Sequence, residues 1–190
     1  MRILCYPNVA QILAFQLAEK VRRHIAGDPE IRRQLREQGM DRIDWVVSSA
    51  YAAITFGHEV AKALGAKFMF TEKDPTDSKG KKMIWQRITI PEGSTVFQAE
   101  ELITTSGTFK EVRRAIQEGN SEHVNFVPII GTLVHRPETL SVDYGGGLRV
   151  VALVEKEIHS YEPDPKKCRY CAVGSKRLRP KKNWKELTGK

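Results

Sequence analysis

Glu100 and Glu101 are adjacent carboxylates that follow a short, mostly apolar run at 96–99 and precede a small-residue stretch, Thr104-Thr105-Ser106-Gly107-Thr108. The apolar run reads as a buried strand that ends at the acids. Thr108 with Glu111 three residues on predicts a capping box, so a helix is expected to open there. Val112, Ala115 and Ile116 would form its apolar stripe, and Gly119 its stop. Free amides at a helix N-terminus attract phosphate, and the neighbouring hydroxyls add donors. Carboxylates at a strand end accept charge-assisted hydrogen bonds from sugar hydroxyls. The unit therefore suits a phosphorylated ribose, with the phosphate in the loop and the hydroxyls against the acids. An ordinary strand-turn-helix with solvated glutamates is the alternative, because hydroxyl-rich turns are common.

Two further stretches carry chemistry. The apolar run 43–47 leads into Ser48-Ser49-Ala50-Tyr51 and then a helix over 54–64 that stops at Gly65. In a parallel sheet such a loop sits at the carboxyl end of its strand, where ligands bind; a tight strand-to-helix turn is the equal alternative. A second run, 67–71, ends in Glu72-Lys73 and is followed by DPTDSKGKK at 74–82, a composition that marks an exposed, mobile loop. It reads either as a solvated hairpin tip or as a lid whose Lys79, Lys81 and Lys82 close over a polyanion. His58-Glu59 opens like a zinc-protease motif, but Lys62 stands where the second histidine belongs, which leaves a helix-surface pair.

Four mostly apolar residues, two acids, two apolar residues and TTSGT together resemble the ribose-phosphate motif of type I phosphoribosyltransferases, most closely the orotate phosphoribosyltransferase branch. The resemblance implies that Glu100 and Glu101 face the ribose and that Thr104, Thr105, Ser106, Gly107 and Thr108 hold the 5′-phosphate of phosphoribosyl pyrophosphate. By the same resemblance Ser48, Ser49, Ala50 and Tyr51 form the pyrophosphate loop, Lys73 meets the pyrophosphate, and the lid lysines stabilise it as it departs. Here both acids are Glu, and Ser106, Ser48 and Ala53 stand where the family usually has Gly. Gln98 interrupts the strand, and the lid lacks the branch's histidine. The implied reaction moves phosphoribose to a nucleobase, orotate by resemblance, within pyrimidine biosynthesis. Mg²⁺ would bridge pyrophosphate and ribose oxygens, and the active species would be a homodimer.

The elements that must position these residues follow from patterning. Asn8 is expected to cap a helix to about Ala26, with Val9, Ile12, Leu13, Leu17, Val21 and Ile25 on one apolar face. Asp28-Pro29 signals a short second helix ending near Gly39. Strands are expected at 83–90, 124–134 and 148–158, with a turn at Gly145-Gly146-Gly147. His123, His135 and His159 are scattered and read as structural. The expected fold is α/β: a mainly parallel central sheet with helices on both faces, an N-terminal helical segment at 1–42, a core at 43–160, and a basic tail at 161–190.

Charge separates that tail from the rest. Of 31 Lys and Arg and 23 Asp and Glu, ten and two lie from Pro163 onward, so the net +8 belongs to the tail and the remaining chain is balanced at 21 of each. GSKRLRPKKNW mixes cations with Trp184, a pattern for nucleic acid or an anionic substrate as well as for a solvated charge run. A regulator of the same fold, binding RNA or DNA through this tail, is the rival to an enzyme. Cys168-Arg169-Tyr170-Cys171 can hold half of a structural zinc site, which needs four ligands; a redox pair or two packed thiols is the more ordinary reading of a lone pair. Three cysteines argue against a secreted disulfide framework, and Pro7, Asn8 and Gln11 interrupt any signal-peptide core. No apolar run approaches a membrane span, so a cytoplasmic protein is expected.

Overall fold

Strands alternate with helices through most of the chain, and the resulting central sheet is wholly parallel. The structure is a computed structural model that describes residues 2–39, 42–162, 164–176, 178 and 183–189. The described chain divides into two compact units, Met1–Ile158 and His159–Lys190.

In the first unit a short 3-10 turn, Arg2–Cys5, precedes α1 (Pro7–Gly27) and α2 (Pro29–Glu37). The core strands are β1 (Trp45–Ser48), β2 (Lys67–Phe70), β5 (Thr95–Ile103), β6 (Asn125–His135) and β7 (Arg149–Glu155), ordered β2-β1-β5-β6-β7. A separate antiparallel pair is made by β3 (Glu72–Lys73) and β4 (Met83–Ile84). Two crossovers are helical, α3 (Ile54–Leu64) between β1 and β2 and α4 (Gly107–Gly119) between β5 and β6. Helices cover both faces, as a parallel sheet requires. On one side Leu17 and Val21 of α1 and Phe56 and Val60 of α3 pack with Phe97 and Ala99. On the other, Val112, Ala115 and Ile116 of α4 pack with Val96 and Val47.

Several expectations shift when the elements assemble. Tyr6, not Asn8, occupies the N-cap of α1, and Pro7 starts the helix without a side-chain cap. The buried face of α1 runs through Ala10, Ala14, Leu17, Ala18 and Val21, and Ile12, off that face, is left in solvent. Asp28 does cap α2, its carboxylate accepting from the amides of Glu30 and Ile31. The strand expected at 83–90 shrinks to Met83–Ile84, because the amide and carbonyl of Ile90 bond to the Asn120 side chain instead of to a strand.

The capping box is absent. Ser106 takes the N-cap position, Thr108 falls inside the first turn, and Glu111 turns away to accept from the Met83 amide at 2.8 Å and to pair with Arg114 at 2.5 Å. Gly119 does end α4, but not through a left-handed turn, since Asn120 caps the helix in an extended conformation. Glycine is needed there because a Cβ would lie 2.4 Å from the Trp85 carbonyl oxygen. Gly119→Ala is therefore expected to cost about 2 kcal/mol, since backbone has to move to relieve the overlap. A urea titration that finds it as stable as the parent would remove this packing constraint.

The second unit contains α5 (Arg169–Ala172) and α6 (Trp184–Thr188), with the Arg169 guanidinium over the Tyr170 ring at 4.8 Å. Of the basic run expected to bind anions, Arg177, Arg179, Pro180, Lys181 and Lys182 lie outside the described residues. Among the described residues no helix is long and apolar enough to cross a membrane.

Candidate active site

The β3–β4 hairpin and the loop that opens α4 face one another across a cleft of about 990 Å³. From the hairpin come Lys73, Lys79, Lys81 and Lys82, and from the loop and first helical turn come Thr105, Gly107 and Thr108. Two sequence stretches that were separate candidates thus share one cavity. With Arg114 the lining has five cationic side chains against three carboxylates, Asp74, Asp77 and Glu111.

Those carboxylates are already engaged, two of them with Lys82 and Arg114, which leaves Lys73, Lys79 and Lys81 as the uncommitted charges of the cleft among the described residues. Asp74 accepts from the hydroxyl and amide of Thr76 and pairs with Lys82 at 3.0 Å, and these contacts, the Thr76 hydroxyl foremost, hold its pKa down at about 2. Asp77 accepts from the amides of Lys82, Lys79 and Lys81, which lower its pKa and gather the hairpin tip around one carboxylate. Glu111 is lowered chiefly by Arg114. Among the described residues Lys73, Lys79 and Lys81 make no ion pair. The 74–82 loop is thus an ordered hairpin whose shape depends on Asp74 and Asp77, and the Asp-Pro-Thr and Asp-Ser-Lys spacings were the sequence signal for it.

The opposite wall is a bare helix terminus. No side chain caps α4, and its first turn holds no acidic residue. Thr104, Thr105, Gly107 and Thr108 are exposed, and Ser106 is half-buried. The first amides of α4 and the hydroxyls around them are placed to receive an anion.

Glu100 and Glu101 are built differently from the expectation. They do not mark the end of β5, which runs on to Ile103 because β6 pairs with it through Leu102–Val134 and Ile103–His135. Neighbours in a strand point to opposite faces, so the two carboxylates diverge. Both are buried, and neither lines the cleft. Glu100 accepts from the Ser49 hydroxyl at 2.6 Å and from Gln98 Nε2 at 2.8 Å. Burial nevertheless outweighs these bonds and pushes its pKa up to about 7.

Gln98 explains its own place in the apolar strand. It is fully buried, and its Oε1 accepts from Arg113 Nε at 3.1 Å. Arg113 in turn donates to the Val127 carbonyl and lies 4.8 Å above the Phe126 ring. Desolvation draws this guanidinium down to about 10. The chain Ser49–Glu100–Gln98–Arg113 ties the loop after β1 to β5, α4 and β6. Only the glutamine in an apolar run hinted at it.

The loop after β1 is largely occupied within the protein. Ser48 is enclosed and its carbonyl accepts from the Thr71 amide, while Ser49 is bound to Glu100. Ala50 is buried, the Ala50–Tyr51 peptide is cis, and Tyr51 stands in solvent at 73 % exposure. Of the scattered histidines, His135 is buried with Nε2 2.8 Å from the Tyr144 hydroxyl, a structural role. For the CxxC, the Cys171 amide donates to Cys168 Sγ at 3.4 Å. Among the described residues no group of three or more His, Cys, Asp or Glu converges to hold a metal, so the zinc half-site finds no further ligands there.

No family model matches the chain. An orotate phosphoribosyltransferase of a Nitratiruptor species is 28% identical over 185 residues, covering 94% of this chain and 81% of the relative. One from Pelotomaculum thermopropionicum is 29% identical over 178 residues, covering 94% and 78%. Among solved structures, the UMP synthase of Leishmania donovani superposes with a TM-score of 0.52 at 17% identity, over 81% of this chain and only 28% of that one. That last likeness is one of fold.

Proposed function

We propose, for a chain that belongs with the type I phosphoribosyltransferases in sequence and fold, that it transfers phosphoribose from phosphoribosyl pyrophosphate to a nucleobase, with orotate the preferred base. The observation that carries the reading is the shared cleft, in which a bare helix N-terminus faces a lysine-bearing hairpin. Such a cavity suits a ligand with phosphate at both ends. Orotate is favoured by the names of the relatives.

In this reading the 5′-phosphate rests on the amides and hydroxyls of Thr105, Gly107 and Thr108. The bond from the anomeric carbon to the diphosphate breaks, the diphosphate leaves with the electron pair, and the base nitrogen forms the new bond as its proton passes to the diphosphate or to solvent. Lys73, Lys79, Lys81 and Lys82 take up the charge that gathers on the departing diphosphate. Closing the hairpin over the cleft keeps water from the electron-poor sugar carbon. Both oxygens of Glu100 are already hydrogen-bonded, so Glu100 acts as a positioning residue. Glu101 is assigned to the ribose by the family resemblance, and its buried carboxylate has to turn toward the cleft when the sugar phosphate binds. Ser48, Ser49, Ala50 and Tyr51 would meet the pyrophosphate through backbone groups, because the serine side chains are enclosed or engaged.

Mg²⁺ fits this reading as an ion that arrives with the diphosphate. A cation of this type takes most of its oxygen ligands from substrate phosphates and water, with one or two carboxylates from the protein, and needs no cage. The hydroxyls of Thr105 and Thr108, which line the cleft, are hard oxygen donors of that kind. When bound, it would neutralise charge on the diphosphate.

The test is a panel of bases. With phosphoribosyl pyrophosphate and Mg²⁺, orotate is expected to release pyrophosphate faster than uracil, adenine or hypoxanthine. Glu101→Ala is expected to lower that turnover at least a hundredfold. No release with any base would refute the activity, and an unchanged Glu101→Ala rate would remove that residue from the site.

A further inference from the structure

A second cavity, of about 510 Å³, opens at the other end of the sheet. Ile43 just before β1, Thr95 at the start of β5 and Val127 near the start of β6 line its base. Thr105, in the first cleft, follows the far end of the same β5, and a nine-residue strand spans roughly 30 Å. The two cavities are therefore separate sites.

The second cavity combines two kinds of surface. Ile25, Leu35, Ile43, Leu64 and Val127 give it an apolar floor, while Arg22, Arg32, Arg36 and Arg42 stand around it, with no carboxylate in the lining among the described residues. Two of these arginines are committed. Arg22 binds Glu19 and the Ala63 carbonyl, and Arg42 pairs with Asp44 at 2.9 Å. The other two are not: among the described residues, the side chains of Arg32 and Arg36 have no hydrogen-bond or ion-pair partner. The reason lies in α2 itself, where Arg33 takes both acids of the helix, Glu30 at 2.7 Å and Glu37 at 3.0 Å.

Arg32 and Arg36 are four residues apart on α2, so they sit side by side on one face, about 6 Å apart at Cβ. Two adjacent guanidiniums match the oxygens of a phosphate monoester, each able to donate two hydrogen bonds. Phosphate alone would leave the apolar floor wet. A ligand with an aromatic or apolar body fills both halves, and the volume suits a molecule of nucleotide size. We propose that this cavity is a second organic-phosphate site, which takes a nucleoside monophosphate with its phosphate on Arg32 and Arg36 and its base on the Leu35–Ile43–Leu64 floor. It does not depend on the transferase reading of the first cleft.

Calorimetric titration with uridine 5′-monophosphate tests it on three proteins: the full chain, Arg32→Gln/Arg36→Gln, and Thr108→Asp, which blocks the first cleft. The first two are also titrated with inorganic phosphate. Thr108→Asp is expected to retain one nucleotide site, and the double arginine variant to lose that site's affinity at least tenfold. Both arginines are exposed, so the variant should keep the parent's melting temperature and its turnover. Inorganic phosphate is expected to bind the second site at least tenfold more weakly than the nucleotide. The proposal is overturned if Thr108→Asp binds no nucleotide, if the arginine variant binds as the parent does, or if phosphate alone binds as tightly. Failure of the first cleft as an enzyme would show in the base panel and leave these results intact.

Discussion

Thr108→Asp will melt higher than the parent and turn over far more slowly. The amides of the first turn of α4 have no side-chain cap, and no acid offsets the positive end of the helix. A carboxylate in that turn is worth about 0.3–1 kcal/mol to the fold. The same carboxylate would occupy the position proposed for the 5′-phosphate. At about 4 Å and an effective dielectric near 20, each pair of unit charges repels by about 4 kcal/mol. A loss of roughly 10²–10³ in kcat/KM for phosphoribosyl pyrophosphate is expected, most of it in KM. Thr108→Ala removes one hydroxyl donor and keeps the amides, so a drop of about tenfold is expected from it. Opposite movements of stability and activity separate a binding role from mere damage. If Thr108→Asp keeps its activity, the sugar phosphate is held somewhere else.

Glu100→Gln should stabilise the protein at alkaline pH and flatten its dependence on pH. Burial raises this carboxyl from an ordinary 4.5 to about 7. Below pH 4.5 the group is protonated in both the folded and unfolded chain, and its favourable contribution is fully present. Between 4.5 and 7 the unfolded chain releases the proton while the folded chain keeps it, so stability falls as pH rises. Above 7 the loss is complete, and a shift of this size corresponds to about 3 kcal/mol. Glutamine keeps the shape, its Oε1 can accept from Gln98, and its amide can donate to the Ser49 oxygen. Urea denaturation at about pH 5 and about pH 8 should find variant and parent similar at the lower pH and the variant more stable at the higher. Parallel curves at both pH values would mean that Glu100 is not a buried, half-neutral acid. Because Glu100 is placed here as a positioning residue, a fall in turnover with KM for the sugar donor nearly unchanged is also expected.

Much of this protein is local in origin, and those parts could be read directly. Asp28-Pro29 caps and starts α2 through atoms two or three residues away. Gly65 stops α3 because its own φ of 70° requires it. The strand, loop and helix from Thr95 to Gly119 follow from one apolar run and one small-residue turn, and they carry the family likeness with them. The hairpin at 74–82 was legible as an exposed loop.

Other features depend on partners far along the chain. Glu111 leaves the helix cap for the Met83 amide, 28 residues away, and Gly119 is required by a carbonyl at Trp85. β5 outlasts its acids only because β6 lies beside it. Burial of Glu100, and with it the raised pKa, needs Ser49 from another crossover and Gln98 held by Arg113. By itself the sequence determined the alternation of elements, the hydroxyl-rich loop that leads into α4 and the lysines of the 74–82 loop, since each rests on neighbouring residues. Tertiary structure alone decided that the lysine-bearing hairpin and the start of α4 share a cavity, that the paired acids diverge into the interior, and that, among the described residues, two arginines of α2 stand without a partner over an apolar floor. Those outcomes depend on which surfaces meet, and only packing sets that.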